Sequence, residues 1–168
     1  MVTTPKEKSF DLVHGLLKTG KARQVRRCLV DARTGRLRQA YAWDANHAWY
    51  CVGNAEFDLE NYGEAVAAYR RAYKADPHDA QSLWAIGNCY DAMKRPKLAE
   101  RVLRKALQLE GVRSKDEAAL LVNLGNALFD QKRFLEAAAA YFPVSGRRDQ
   151  LGRKARLNFK TASEMASR

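Results

Sequence analysis

The chain has 168 residues, 46% hydrophobic and 29% charged, with a formal net charge of +11. That length supports one domain with a substantial core, the balance excludes a disordered chain, and no run of roughly 18–20 apolar residues offers a membrane span. Three cysteines without a Cys-x-x-Cys pair, and three histidines that form no cluster in sequence, lead us to expect packed, reduced thiols, no metal site and no cofactor.

The first ten residues carry lysines with no apolar block behind them, so no signal peptide is expected and a cytoplasmic location is the default. Phe10, Leu12, Val13, Leu16 and Leu17, then Gly20-Lys21, then Val25, Cys28 and Leu29, read as two helices joined by a turn, the second running Ala22 to Ala32. Residues 8–45 are therefore a helical N-terminal extension or a degenerate repeat, with Arg33 to Asp44 a long connection. Next come a helix over Ala48 to Glu60, a break at Asn61-Tyr62-Gly63 and a helix over Glu64 to Ala75. Asp76-Pro77 ends the second, because proline cannot continue a helix and restricts the residue before it.

The string Val52-Gly53-Asn54-Ala55 then recurs as Ile86-Gly87-Asn88-Cys89 and as Leu124-Gly125-Asn126-Ala127. Twelve residues after each glycine stands an alanine (Ala65, Ala99, Ala137), and four residues later Tyr69, Leu103 or Tyr141. The period divides the chain into repeats at 46–79, 80–113 and 118–146, followed by a capping helix at 147–166. Small residues at fixed places let paired helices approach, and the aromatics fill what the small residues leave. Glu56 stands where an apolar residue is expected, Pro96 suits a first helical turn, and Pro143 is expected to truncate or kink the last repeat. In the final helix Leu151, Ala155, Phe159 and Ala162 share one face, opposite Arg148, Arg156 and Lys160.

These residues resemble the tetratricopeptide repeat. The resemblance rests on Trp49, Val52-Gly53, Tyr62, Ala65, Tyr69, Ala72 and Pro77 in the first repeat. Leu83, Ile86-Gly87, Tyr90, Ala99, Leu103 and Ala106 carry it in the second, and Leu121, Leu124-Gly125, Phe134, Ala137 and Tyr141 in the third. It implies an all-α fold, a right-handed superhelical stack of helix-turn-helix units between the N-terminal extension and the C-terminal cap. It also implies a non-enzymatic protein-interaction module, an adaptor or assembly scaffold whose first helices line a concave, peptide-binding groove.

On that register the inward-facing residues are His47, Tyr50, Asn54, Phe57 and Asp58, then Gln81, Trp84, Asn88 and Asp91, then Ala119, Val122, Asn123, Asn126, Phe129 and Asp130. Asn54, Asn88 and Asn126 recur at one place. Each amide offers a donor and an acceptor, either to the backbone of an extended peptide or to the neighbouring helix. Tyr50 and Trp84 occupy matching places as binding anchors or as packing between helices, whereas Trp49 is expected in the core. Members of the family that clamp a C-terminal carboxylate need lysine, asparagine and arginine on this face. Asn54 matches, but Tyr50, Ala85, Ala119 and Asn123 stand in the other places, so the clamp is missing.

Charge is uneven: +6 over residues 1–45, −3 over 46–79, +4 over 80–113, −1 over 114–146 and +5 over 147–168. The basic ends suit an acidic protein partner, either an extended peptide or a helix. Arg23, Arg26 and Arg27, with Arg148, Arg153 and Arg156, form basic patches that would also serve nucleic acid. Alternatives left open are a secretion-type chaperone of this repeat class, a nucleic-acid-associated protein using those patches, and a homodimer in which the N-terminal extension fills a second copy's groove. No phosphate-binding loop, His-Glu-x-x-His motif or nucleophile elbow points to catalysis, so no enzyme is expected.

Overall fold

The structure, a computed structural model, describes residues 5–167; part of the segment Met1 to Phe10, in which no signal peptide is expected, lies outside them. Nine α-helices occur among the described residues: α1 (Pro5–Lys18), α2 (Ala22–Leu29), α3 (Ala45–Asp58), α4 (Tyr62–Ala75), α5 (Ala80–Ala92), α6 (Pro96–Leu107), α7 (Ser114–Asp130), α8 (Phe134–Ser145) and α9 (Gln150–Ala166). The fold is all-α. Its helices fall into two compact units that divide between Ser82 and Leu83.

In the first unit α1 and α2 share a core with α3 and α4. Phe10, Val13, Leu16, Val25 and Leu29 are buried in the same cluster as Ala48, Cys51, Val52, Ala55 and Ala68. Helix α2 stops three residues short of the expected Ala32. Val30 is extended, forms an isolated antiparallel bridge with Leu37, and Asp31 holds the intervening turn by accepting from the Thr34 amide and hydroxyl. A 3₁₀ segment (Gln39–Asp44) then leads into α3, so the long connection is folded against the core through Leu37 and Tyr41. Asp44 starts α3, its carboxylate accepting from the His47 amide at 3.0 Å.

The unexpected Glu56 is 5% exposed and fully engaged: one carboxylate oxygen accepts from Arg26 on α2 at 2.9 Å, the other from Asn61 at 3.0 Å. Trp49, expected in the core, is only partly buried; it packs against the cluster while the Arg71 guanidinium lies 4.4 Å over its ring.

In the second unit, α6 to α9 pack in sequence on buried Leu103, Leu120, Leu128, Tyr141 and Val144. Helix α7 begins at Ser114, earlier than the expected 118, and α8 continues through Pro143 to Ser145. Pro143 falls in the last turn of α8, where the missing N–H removes a single helical bond and the ring reaches solvent, so the helix is not cut short there. Helix α9 brings its small residues Gly152, Ala155 and Ala162 inward. Glu100 on α6 gathers Arg104, Gln131 and Arg133. Burial alone would raise its carboxyl, but the hydrogen bonds from those three outweigh it and hold Glu100 below the ordinary range.

The repeat turns share one geometry. Glu60, Lys94 and Lys132, each seven residues after the repeat glycine, have φ of 60°, 56° and 61°. The amide of the following residue reaches back to Glu56, Tyr90 and Leu128 carbonyls at 2.9, 2.8 and 3.0 Å, the closure of a Schellman turn. The α1–α2 turn has the same closure, Lys21 N–H to the Leu16 carbonyl at 2.9 Å, but with Gly20 at φ 68°. Left-handed backbone strains a residue with a Cβ and suits glycine. Glu60→Gly, Lys94→Gly and Lys132→Gly are each expected to stabilise by about 0.5–1 kcal/mol, offset in part by unfolded-state entropy. The three together should raise the melting temperature by several degrees in a thermal scan, and a fall would contradict the strain.

Candidate functional site

The repeat glycines create contacts that decide what the asparagine beside each one does. A Cβ at Gly53 would stand 2.4 Å from Cε1 of Tyr69, and one at Gly125 the same distance from Cε1 of Tyr141. With the ring drawn over the glycine, each tyrosine hydroxyl donates to the adjacent asparagine: Tyr69 to Asn54 and Tyr141 to Asn126, both at 2.8 Å. In the middle repeat Leu103 takes the tyrosine's place against Gly87 and has no hydroxyl. Asn88 instead accepts from the Asn123 amide of α7. Recurrence of asparagine thus has a structural use in every repeat, through a partner that differs in the middle one.

The same contrast governs the aromatic candidates. Phe57 packs edge-on against Tyr62 at 5.3 Å, and Phe129 against Phe134 at 5.1 Å, each pinning the start of its following helix. At the corresponding places the middle repeat has Asp91 and Pro96, and Asp91 is left exposed. Tyr50 is half-buried with its ring 5.4 Å from that of Tyr69. Trp84 is half-buried as well, and its indole N–H is buried without a hydrogen-bond partner among the described residues. Val122, placed on the inner face by the repeat register, is instead fully buried.

Asp91, Asn126 and Phe129 come together in the second unit, in a cleft of about 340 Å³ between α5, α7, α8 and α9. Lys94, Asp130 and Tyr141 complete its walls with Asn158 and Thr161 of α9. Asn158 donates to Asn126 at 3.2 Å, so the Asn126 oxygen is held by two donors. Burial, with the carboxylates of Asp130 and Asp91 adding and the Asn158 hydrogen bond opposing, pushes the Tyr141 phenol well up, and it remains a donor at any physiological pH. Asp91 and Asp130 are exposed, and neither forms an ion pair with another described residue. Asn158 and Thr161 were not among the expected site residues. The sequence pattern identifies α9 by its apolar face, and nothing in that pattern shows that its polar face borders a cleft.

Of the basic residues, Arg26 is bound to Glu56, and Arg156 donates to the Ser145 carbonyl at the end of α8. Arg23, Arg27, Arg148 and Arg153 remain exposed. The expected patches therefore lose one arginine each to structural bonds. No described helix is long and apolar enough to cross a membrane.

Helix pairs with this turn and this glycine–aromatic contact match a known pattern. The family model described as tetratricopeptide repeat matches residues 11–80, 50–111 and 95–142. The chain belongs to the tetratricopeptide repeat family. Type IV pilus assembly protein PilF of Pseudomonas aeruginosa is 31% identical over 94 residues, which are 56% of this chain and 36% of that protein. The chain thus spans little more than a third of that relative. The solved first TPR of Spaghetti (RPAP3), bound to HSP90 peptide SRMEEVD, superposes with a TM-score of 0.66 over 83% of this chain and 98% of its own, at 19% identity. At that identity the likeness speaks for the fold. Tetratricopeptide repeat proteins are typically interaction modules and not enzymes.

Proposed function

We propose that this chain is an adaptor or assembly factor that receives an extended segment of another polypeptide at the α5–α7–α9 cleft. The observation that carries this reading is the cleft itself: two carboxylates without ion-pair partners among the described residues, an aromatic face and a fixed asparagine around one concavity. An asparagine held by two donors is oriented before a ligand arrives, which lowers the entropy lost on binding. The cleft offers Asp91 and Asp130 against one ammonium, Lys94, so the group it takes in is a hydrogen-bond donor or a cation. An acidic segment would belong at the basic ends instead. The assembly role of the Pseudomonas relative supports the reading over the matched repeats. The peptide complex of the solved neighbour supports peptide binding as the mode.

The α1–α2 pair is proposed as a degenerate repeat of the same array, supported by its shared turn closure and by a family match that begins at residue 11.

The test is affinity capture with wild type beside Asp91→Lys/Asp130→Lys, Phe129→Ala and an Arg23→Ala/Arg27→Ala/Arg148→Ala/Arg153→Ala variant, each checked by circular dichroism. A partner weakened about tenfold or more by both cleft variants, and kept by the arginine variant, is expected. The opposite pattern would move the site to the basic ends, and salt-sensitive retention of an unrelated oligonucleotide there would make the partner a nucleic acid.

A further inference from the structure

Histidines and cysteines that are dispersed along the sequence meet in the first unit. His47 and Cys51 are one turn apart on α3, and at that spacing two side chains lie on one face. His14 projects onto the same face from α1. The three ligand atoms lie within 4.8 Å of one another, with Nε2 of His14 2.8 Å from Nε2 of His47 and Cys51 Sγ 3.6 Å from that same nitrogen. These orientations are set by packing: the Phe10 ring lies edge-on to His47 at 4.6 Å and stacks with His14 at 6.2 Å. The backbone of His47 is fixed by the Asp44 cap.

Two features distinguish this arrangement from an ordinary packed histidine. Both imidazoles turn the same nitrogen, Nε2, toward one point, where a single shared proton can satisfy the pair. A thiol closes the third side, within hydrogen-bond reach of His47 for a sulfur atom. A tetrahedral ion bound at about 2.05 Å by nitrogen and about 2.3 Å by sulfur requires nitrogen–sulfur edges of about 3.6 Å and nitrogen–nitrogen edges of about 3.3 Å. Of the two nitrogen–sulfur edges the His47–Cys51 one already has that length, His14 Nε2 lies within 4.8 Å of Cys51 Sγ, and the nitrogen–nitrogen edge needs the imidazoles to part by roughly half an ångström.

We propose that His14, His47 and Cys51 form a three-ligand site for one zinc-type divalent ion, with a fourth position left for water or a partner's side chain. Two imidazoles and a thiolate are the borderline donor set that such ions select over hard cations. Binding displaces the thiol proton to solvent, while the shared imidazole proton moves to Nδ1 of its own ring so that both imidazoles ligate in the neutral form. The Asp44 carboxylate beside His47 helps balance the charge. The ion would clip α1 to α3, and so make the seating of the N-terminal helix pair depend on metal supply.

The test uses the full chain, stripped with a chelator and titrated with zinc against a chromophoric competitor, then with cobalt(II) as a spectroscopic probe. The expected result is one ion per chain and a tetrahedral cobalt spectrum with a thiolate-to-cobalt charge-transfer band. Cys51→Ser removes that band, and both it and His14→Gln weaken zinc by about tenfold or more, whereas the exposed His78→Gln changes nothing. Should Cys51→Ser fail to fold, the comparison passes to His14→Gln: zinc raises the melting temperature of wild type and of His78→Gln but not of His14→Gln. An absence of bound ion, an octahedral spectrum without the thiolate band, or equal affinity in His14→Gln and wild type would overturn the site.

Discussion

Gly125→Ala is expected to destabilise the protein by about 2–3 kcal/mol, even though alanine improves helix propensity by about 1 kcal/mol over glycine. The added methyl would stand 2.4 Å from Cε1 of Tyr141, whose ring is 2% exposed, and its hydroxyl is tied to Asn126. The ring therefore cannot swing away without giving up a buried hydrogen bond and opening the α7–α8 contact. Gly53→Ala meets Tyr69 in the same geometry and is expected to cost a similar amount. Gly87→Ala is expected to be milder, because the nearest atom is a terminal carbon of Leu103 at 2.8 Å that can turn aside. Gly15→Ala, with nothing within 4 Å of its would-be Cβ, is expected to stabilise. Urea unfolding of the four variants checks the order. Tyr141→Leu in the Gly125→Ala background should recover part of the loss, since it imports the middle repeat's solution. If the four variants prove equal, helix propensity alone governs these sites and the packing account fails.

The glycine–aromatic exchange was legible because it recurs: period and residue size together announce which backbones approach. What each asparagine does was less legible, because it depends on whether the residue fifteen places later has a hydroxyl. That dependence is present in the sequence as Tyr69, Leu103 and Tyr141, and it becomes interpretable only once both helices are placed. The cleft needed α9, whose polar face carries no repeating signal. His14 and His47, 33 residues apart, have no local pattern at all; only the packing of α1 across α3 makes them neighbours. The end of α2 was misjudged because Val30 and Leu37 pair with each other, a contact outside helical periodicity.

Arg26→Ala is expected to cost about 2–3 kcal/mol, far more than an ordinary surface substitution, although the side chain is 51% exposed. Removing it leaves the Glu56 carboxylate, 7% exposed, with Asn61 as its remaining close partner. Glu64 lies 3.8 Å from the same guanidinium but is itself largely exposed and needs no partner. The loss is therefore chiefly the cost of a buried charge left without its cation, which predicts a specific rescue. Glu56→Leu alone should be near neutral, since Tyr90 and Leu128 fill the same place in the other repeats. In the double variant Arg26→Ala/Glu56→Leu most of the stability should return, giving a coupling energy of about 2 kcal/mol in a double-mutant cycle read by urea unfolding. A double variant as unstable as the sum of the singles would mean that Arg26 acts through packing of its stem. The pair also explains why one arginine of the N-terminal patch cannot be counted toward phosphate binding: releasing it to a ligand would strand a carboxylate between α2 and α3. Glu56 interrupts the apolar pattern because it joins the N-terminal helix pair to the first repeat by charge as well as by core.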